Sequence, residues 1–91
     1  MKHISEYINE SQNRSDRYKE LSEHEAKTQF MRFGTPIYLL SDDYDINNDV
    51  EWNNEVTKIS KNDNFDEMLK TFCRYQCHGN IKPKFYMKKF K

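Results

Sequence analysis

Apolar positions come along this chain in short separated groups, and each group has a spacing that predicts an element. Phe65, Met68, Leu69, Phe72 and Cys73, continued by Gln76, fall at i, i+3, i+4, i+7, i+8 and i+11, one face of a helix. Asn64 stands where an N-cap belongs, Glu67 sits at N3 to complete a capping box, and Gly79 follows as a stop, so a helix is expected within 62–78. An earlier stripe of Tyr18, Ala26, Phe30 and Phe33, with Leu21 at its edge, predicts a helix capped by Ser15 and running to about Phe33. Asp16 suits its first turn, and Gly34 then Pro36 end it.

The remaining groups have the period of strands. Pro36-Ile37-Tyr38-Leu39-Leu40 is the most apolar run and predicts a buried strand. Residues 41–49, rich in Asp, Asn and Ser, predict a loop. Val50, Trp52 and Val56 share a parity, which predicts a half-buried strand within 50–59 unless Asn53-Asn54 turns the chain. Ile81, Phe85 and Met87 alternate with Lys82, Lys84 and Lys88, giving a last strand that Pro83 confines to a sheet edge or to its own first residue. The order α-β-(β)-α-β defines an α+β domain over 12–91, two helices packed on one face of a short mixed or antiparallel sheet. Ahead of it, in 1–11, Ile4, Tyr7 and Ile8 make an apolar stripe too short to hold a helix without something to dock on.

Composition allows one small core. Of 91 residues only 35% are hydrophobic and mean hydropathy is −1.14, but six Phe, six Tyr and one Trp supply large buried area per residue. Two Gly and two Pro are too few for a turn-dense all-β fold. No apolar run reaches the length of a membrane span, and no basic-then-apolar stretch has the form of a secretory signal. The expected setting is soluble and intracellular, or inside a virion. Cys73 and Cys77 are too few and too close for a secreted disulfide framework, so reduced thiols are expected.

A net charge of zero conceals a strong asymmetry. Residues 1–40 are balanced, 41–67 carry nine acids against Lys58 and Lys61, and 68–91 carry seven basic residues and no acid. Either the acidic loop lies over the basic tail and cancels it, or each is open to a partner of opposite charge.

Four constellations could carry chemistry. Cys73, Cys77 and His78 could offer soft ligands, but a structural zinc site needs four donors, and Cys73 on the apolar stripe behaves as a small hydrophobe. Cys77 and His78 point about 100° apart on a helix and make a poor nucleophile–base pair. Asp43, Asp45, Asn47 and Asp49 alternate as in a calcium loop, yet Asn48 replaces the required glycine and Asn54 the bidentate glutamate. Lys82, Lys84, Lys88, Lys89 and Lys91 interleave with Phe85, Tyr86 and Phe90, a composition that can track phosphates and stack bases; lysines guarding an edge strand are the plainer account. A fifth feature is an interaction surface: Asp42, Asp43, Tyr44, Asp45, Asp49, Glu51, Trp52 and Glu55 set two aromatics among carboxylates, with Tyr44 and Trp52 as anchors, although Trp52 also suits the core. No metal or other cofactor is called for.

The first ten residues, Met1-Lys2-His3-Ile4-Ser5-Glu6-Tyr7-Ile8-Asn9-Glu10, are followed by the small Ser11. This stretch resembles the capsid-targeting peptide of internal head proteins of large tailed phages. That pattern runs Met-Lys, two variable residues, a polar residue, Glu, an aromatic, Ile, any residue and Glu, and is cut after an Ile/Leu-x-Glu step. His3 and Ile4 fill the variable pair, Tyr7 is the aromatic, and Ile8, Glu10 and Ser11 mark the cut. The resemblance implies a phage passenger packaged in the head and delivered with the DNA, and such passengers often neutralise a host nuclease or other defence. The expectation is a non-enzymatic accessory protein, monomer or small homo-oligomer, with no membrane association. It would bind and inhibit a host protein or ribonucleoprotein in the host cytoplasm, having travelled in the virion interior. The alternative is a small nucleic-acid-binding protein acting through its basic, aromatic tail.

Overall fold

The computed structural model describes residues 14–77 and 79–89. A 3-10 turn at Arg14–Asp16 leads into β1 (Tyr18–Leu21), α1 (Glu23–Phe33), β2 (Ile37–Ser41), α2 (Asp49–Glu55), β3 (Thr57–Ile59), α3 (Phe65–Gln76) and β4 (Pro83–Lys88). The strands form one sheet in the order β1-β4-β2-β3, antiparallel at every pairing. This is the α+β class the sequence predicts, with the sheet antiparallel, one of the two forms expected, and with one helix and one strand more than expected.

The extra strand comes from the segment assigned to the first helix. Ser15 does not cap it; Ser22 does. Ser22 Oγ accepts the Glu25 N–H at 3.1 Å and the Glu25 carboxylate accepts the Ser22 N–H at 2.9 Å, a full capping box. With α1 starting there, Tyr18–Leu21 is released to pair with β4, Tyr18 opposite Lys88 and Leu21 opposite Phe85. Phe33, expected on the packed stripe, is 69% exposed. Gly34 ends α1 with φ +68°, its N–H donated to the Phe30 carbonyl at 3.0 Å; that left-handed conformation is the reason glycine stands there.

The extra helix replaces most of the strand expected in 50–59. Asn48 accepts the Glu51 N–H at 3.1 Å, and Asp49 and Glu51 occupy the positive first turn, so the local signals favour a helix. Trp52 is its only buried residue and Val50 is largely exposed. Only Thr57–Ile59 extends as β3.

α3 and β4 follow their patterns with two corrections. Asn64 caps α3 by accepting the Glu67 N–H at 3.0 Å, but the helix stops at Gln76 with Cys77 extended, two residues ahead of Gly79. β4 is an interior strand with β1 on one side and β2 on the other, so the sheet-edge option for Pro83 and its lysines is overturned. Pro83 is tolerated because it opens the strand, where a missing N–H costs least.

The strand period sends side chains to two cores. On one face Leu21, Ile37, Leu39, Ile59, Phe85 and Met87 meet Ala26 and Phe30 of α1 and Phe65 and Phe72 of α3. On the other, Leu40 and Tyr86 lie beneath Trp52, with Tyr18, Tyr38, Tyr44, Ile46 and Val56 packed around them. Trp52 touches three tyrosines there, at ring-centroid distances of 5.0 Å to Tyr18, 5.9 Å to Tyr38 and 6.3 Å to Tyr86. A two-turn helix thus covers a sheet face by means of one indole.

Candidate functional site

The acidic segment is a braced loop followed by α2. The Asp45 carboxylate accepts the Asn47 N–H at 2.9 Å, which turns the chain, and Glu51 accepts the Asp45 N–H at 2.9 Å. The Asn47 side chain accepts the Ser15 N–H at 3.0 Å. Arg14 pairs with Asp49, donates to the Ile46 carbonyl at 3.3 Å and stands 5.5 Å over the Trp52 ring. At the other end Asp42 donates its N–H to the Lys82 carbonyl at 2.9 Å. These bonds hold the loop across the aromatic face of the sheet.

Within this frame Asp42, Asp43, Asp45 and Asp49 are exposed, Glu51, Glu55 and Tyr44 are half-buried, and Trp52 is buried. Trp52 is therefore an internal anchor of α2, which removes it from the expected contact surface. The Tyr44 phenol is pushed above its ordinary range first by the charge of Glu55, then by burial and by Asp43 and Glu51. One tyrosine framed by three carboxylates is the centre of the surface. Among the described residues the acids of 42–55 make a single ion pair, Asp49 with Arg14. Among the described residues no lysine of the basic tail forms an ion pair with them.

The tail itself is not one tract. Phe85 and Tyr86 are 4% and 5% exposed inside the two cores, so neither can stack a base. Lys82 and Lys84 lie at the beginning of β4, Lys88 and Lys89 at its end, roughly 13 Å further along at about 3.3 Å per residue. Phe90 and Lys91 lie outside the described residues, as do the targeting-like positions Ile8, Glu10 and Ser11.

Cys73 and Cys77 are free, half-buried thiols that share a hydrogen bond, and His78 lies outside the described residues. Burial, followed by Cys73, pushes the Cys77 thiol up to about 11, the opposite of what a nucleophile or metal ligand needs. Among the described residues no three His, Cys, Asp or Glu side chains gather as a metal site. Three of the alternating side chains of the loop already use their oxygens as acceptors within the fold, Asp45 from the Asn47 N–H, Asn47 from the Ser15 N–H and Asp49 from Arg14.

Sequence reasoning missed a second group of residues, Phe33, Tyr38, Lys58 and Lys88, which strand register and the end of α1 bring near one another. Tyr38 faces Lys58 on β3 and Tyr86 on β4, and Lys58 stands 5.8 Å over the Tyr38 ring.

Compared with protein-family models, curated proteins and solved structures, the chain matches none. Among the described residues no helix is long and apolar enough to cross a membrane.

Proposed function

We propose that this is a non-enzymatic binding protein whose acidic ridge, centred on Tyr44, seats on a basic surface of a larger host protein and blocks it. One observation carries the reading: Tyr44 lies among Asp43, Glu51 and Glu55, in a segment whose carboxylates make, among the described residues, a single ion pair. Unpaired carboxylates around a half-buried aromatic steer a cationic partner over long range and give it an apolar contact on arrival. A nucleic-acid channel of a defence nuclease or ribonucleoprotein has that complementary charge. The decapeptide at 1–10 adds the route, packaging in a phage head and entry with the DNA.

The test is protection of phage DNA in host extract by the purified protein. Asp43→Lys combined with Glu55→Lys, both on the surface, should lower inhibition at least tenfold while leaving thermal unfolding within a few degrees. Full inhibition by that variant would refute the acidic ridge as the contact. Mass spectrometry of purified virions tests the route independently: a chain beginning at Ser11 supports it, and an intact Met1 in virions counts against it.

A further inference from the structure

The two ends of the sheet carry opposite chemistry. β2 ends at Ser41, just before Asp42 and Asp43, and begins at Ile37, beside the bend at Gly34–Pro36. Because β2 is antiparallel to both neighbours, its beginning lies with the ends of β3 and β4. Register therefore brings Lys58 and Lys88 to the Tyr38 end, and Lys61 follows, its side chain lying against Gly34. Among the described residues none of these three lysines is in an ion pair.

A cavity of about 320 Å³ opens there, lined by Phe33, Gly34, Thr35, Pro36, Tyr38 and Lys88. Its volume is near the low end of ligand pockets, roughly 300 Å³, enough for a small planar group. No carboxylate lines it. Phe33 is 69% exposed and, among the described residues, in contact with no other aromatic ring, so its face is open to a ligand. Of the polar side chains in the lining, Thr35 donates its hydroxyl to the Gln29 side chain at 3.2 Å, while Lys88 is in no ion pair among the described residues.

We propose that this cavity binds single-stranded nucleic acid, one unpaired base entering between Phe33, Pro36 and Tyr38 while Lys88 and Lys58 hold the flanking phosphates. An aromatic platform with adjacent free cations is the minimal apparatus for such binding, and every base offers a π-face to it. Lys88 meets any phosphate and stacking on Phe33 does not distinguish one base from another, so binding is tolerant of sequence. A duplex keeps its bases stacked and cannot supply the inserted group. The site lies at the far end of the sheet from the acidic ridge, so the two stand or fall separately.

Fluorescence anisotropy of a labelled oligothymidylate with the full chain, at low and at physiological salt, tests it. The single strand should bind, and the duplex with oligoadenylate should bind at least about tenfold more weakly. Phe33→Ala, at an exposed position that leaves the fold intact, should weaken binding about tenfold or more, and Phe33→Trp should retain it. Lys88→Gln should reduce the slope of log affinity against log salt by about 0.7. Absence of binding at low salt, equal affinity for the duplex, or an unchanged affinity in Phe33→Ala would each overturn the proposal.

Discussion

The ring of Trp52 lies 5.0 Å from the ring of Tyr18, centroid to centroid, and so ties a two-turn helix to a strand at the sheet edge. α2 buries nothing else, which makes the indole the reason the helix stays on the sheet. Trp52→Ala should cost about 3–5 kcal/mol, a large part of the roughly 5–15 kcal/mol available to a small domain. Urea unfolding followed by far-ultraviolet circular dichroism measures it. A loss below about 1 kcal/mol would mean that the aromatic face does not contribute to stability.

The capping box at Ser22 decides where α1 begins. Ser22→Ala should cost about 1 kcal/mol and shift the urea midpoint without changing the slope. Glu25 is held below its ordinary carboxylate range, chiefly by its bond to the Ser22 N–H. The folded value being the lower one, this contribution is present above the unfolded value of 4.5 and is lost as pH falls through the folded one. Glu25→Ala, which removes the titrating partner, and wild type should therefore converge in stability on acidification.

Alkali should loosen the molecule from two places. Burial, helped by Glu20 and Asp45, pushes the Tyr86 phenol from 10.0 up to about 12, and the Cys77 thiol moves from 9.0 to about 11. Both folded values are raised, so both contributions are intact below the unfolded values and are lost as pH climbs through the folded ones. Stability should fall between about pH 9 and 12. Tyr86→Phe should remove the latest tyrosinate step in an absorbance titration, and a wild-type titration complete near pH 10 would contradict the buried placement.

Arg14 and Asp49 form an unequal pair. The Arg14 side chain is 12% exposed and also holds the Ile46 carbonyl and the Trp52 face, whereas the Asp49 side chain is 57% exposed. Asp49→Asn should cost less than about 1 kcal/mol, as exposed ion pairs do. Arg14→Ala should cost more, because the Ile46 carbonyl and the indole lose their partner as well. A double-mutant cycle reads the coupling directly, and an equal cost for the two single changes would show that the ion pair alone matters.

What the sequence made legible was local. Asn64 and the apolar period from Phe65 to Cys73 sit within one turn of each other, and α3 forms where they say. The same holds for Ile37–Leu40 and for the alternation around Phe85. Residues 15–21 misled because Tyr18 and Leu21 have helical spacing as well as strand membership, and pairing with β4, distant in sequence, settled between them. Ser22 and Glu25 were a readable signal that outranked Ser15. At Trp52 the parity with Val50 and Val56 suggested a strand, while Asn48 with Asp49 and Glu51 described a helix start. The acids of 42–55 were legible as a group, but not that Asp49 pairs with Arg14, that Glu51 accepts the Asp45 N–H or that Trp52 faces the core. The cavity beside Phe33 depends on which strands are neighbours, which no single segment encodes.

The strand made last in this sheet is also the one in its middle. Until Pro83–Lys88 leaves the ribosome, β1 has nothing to pair with, and β2 and β3 form an isolated hairpin too small to persist. A nascent chain therefore holds Leu39, Ile59 and Tyr18 uncovered until β4 emerges to pair with β1 and β2. Removing Pro83–Lys88 should therefore unmake the whole sheet and not merely shorten it, because the pairings of β1 and of one side of β2 go with it.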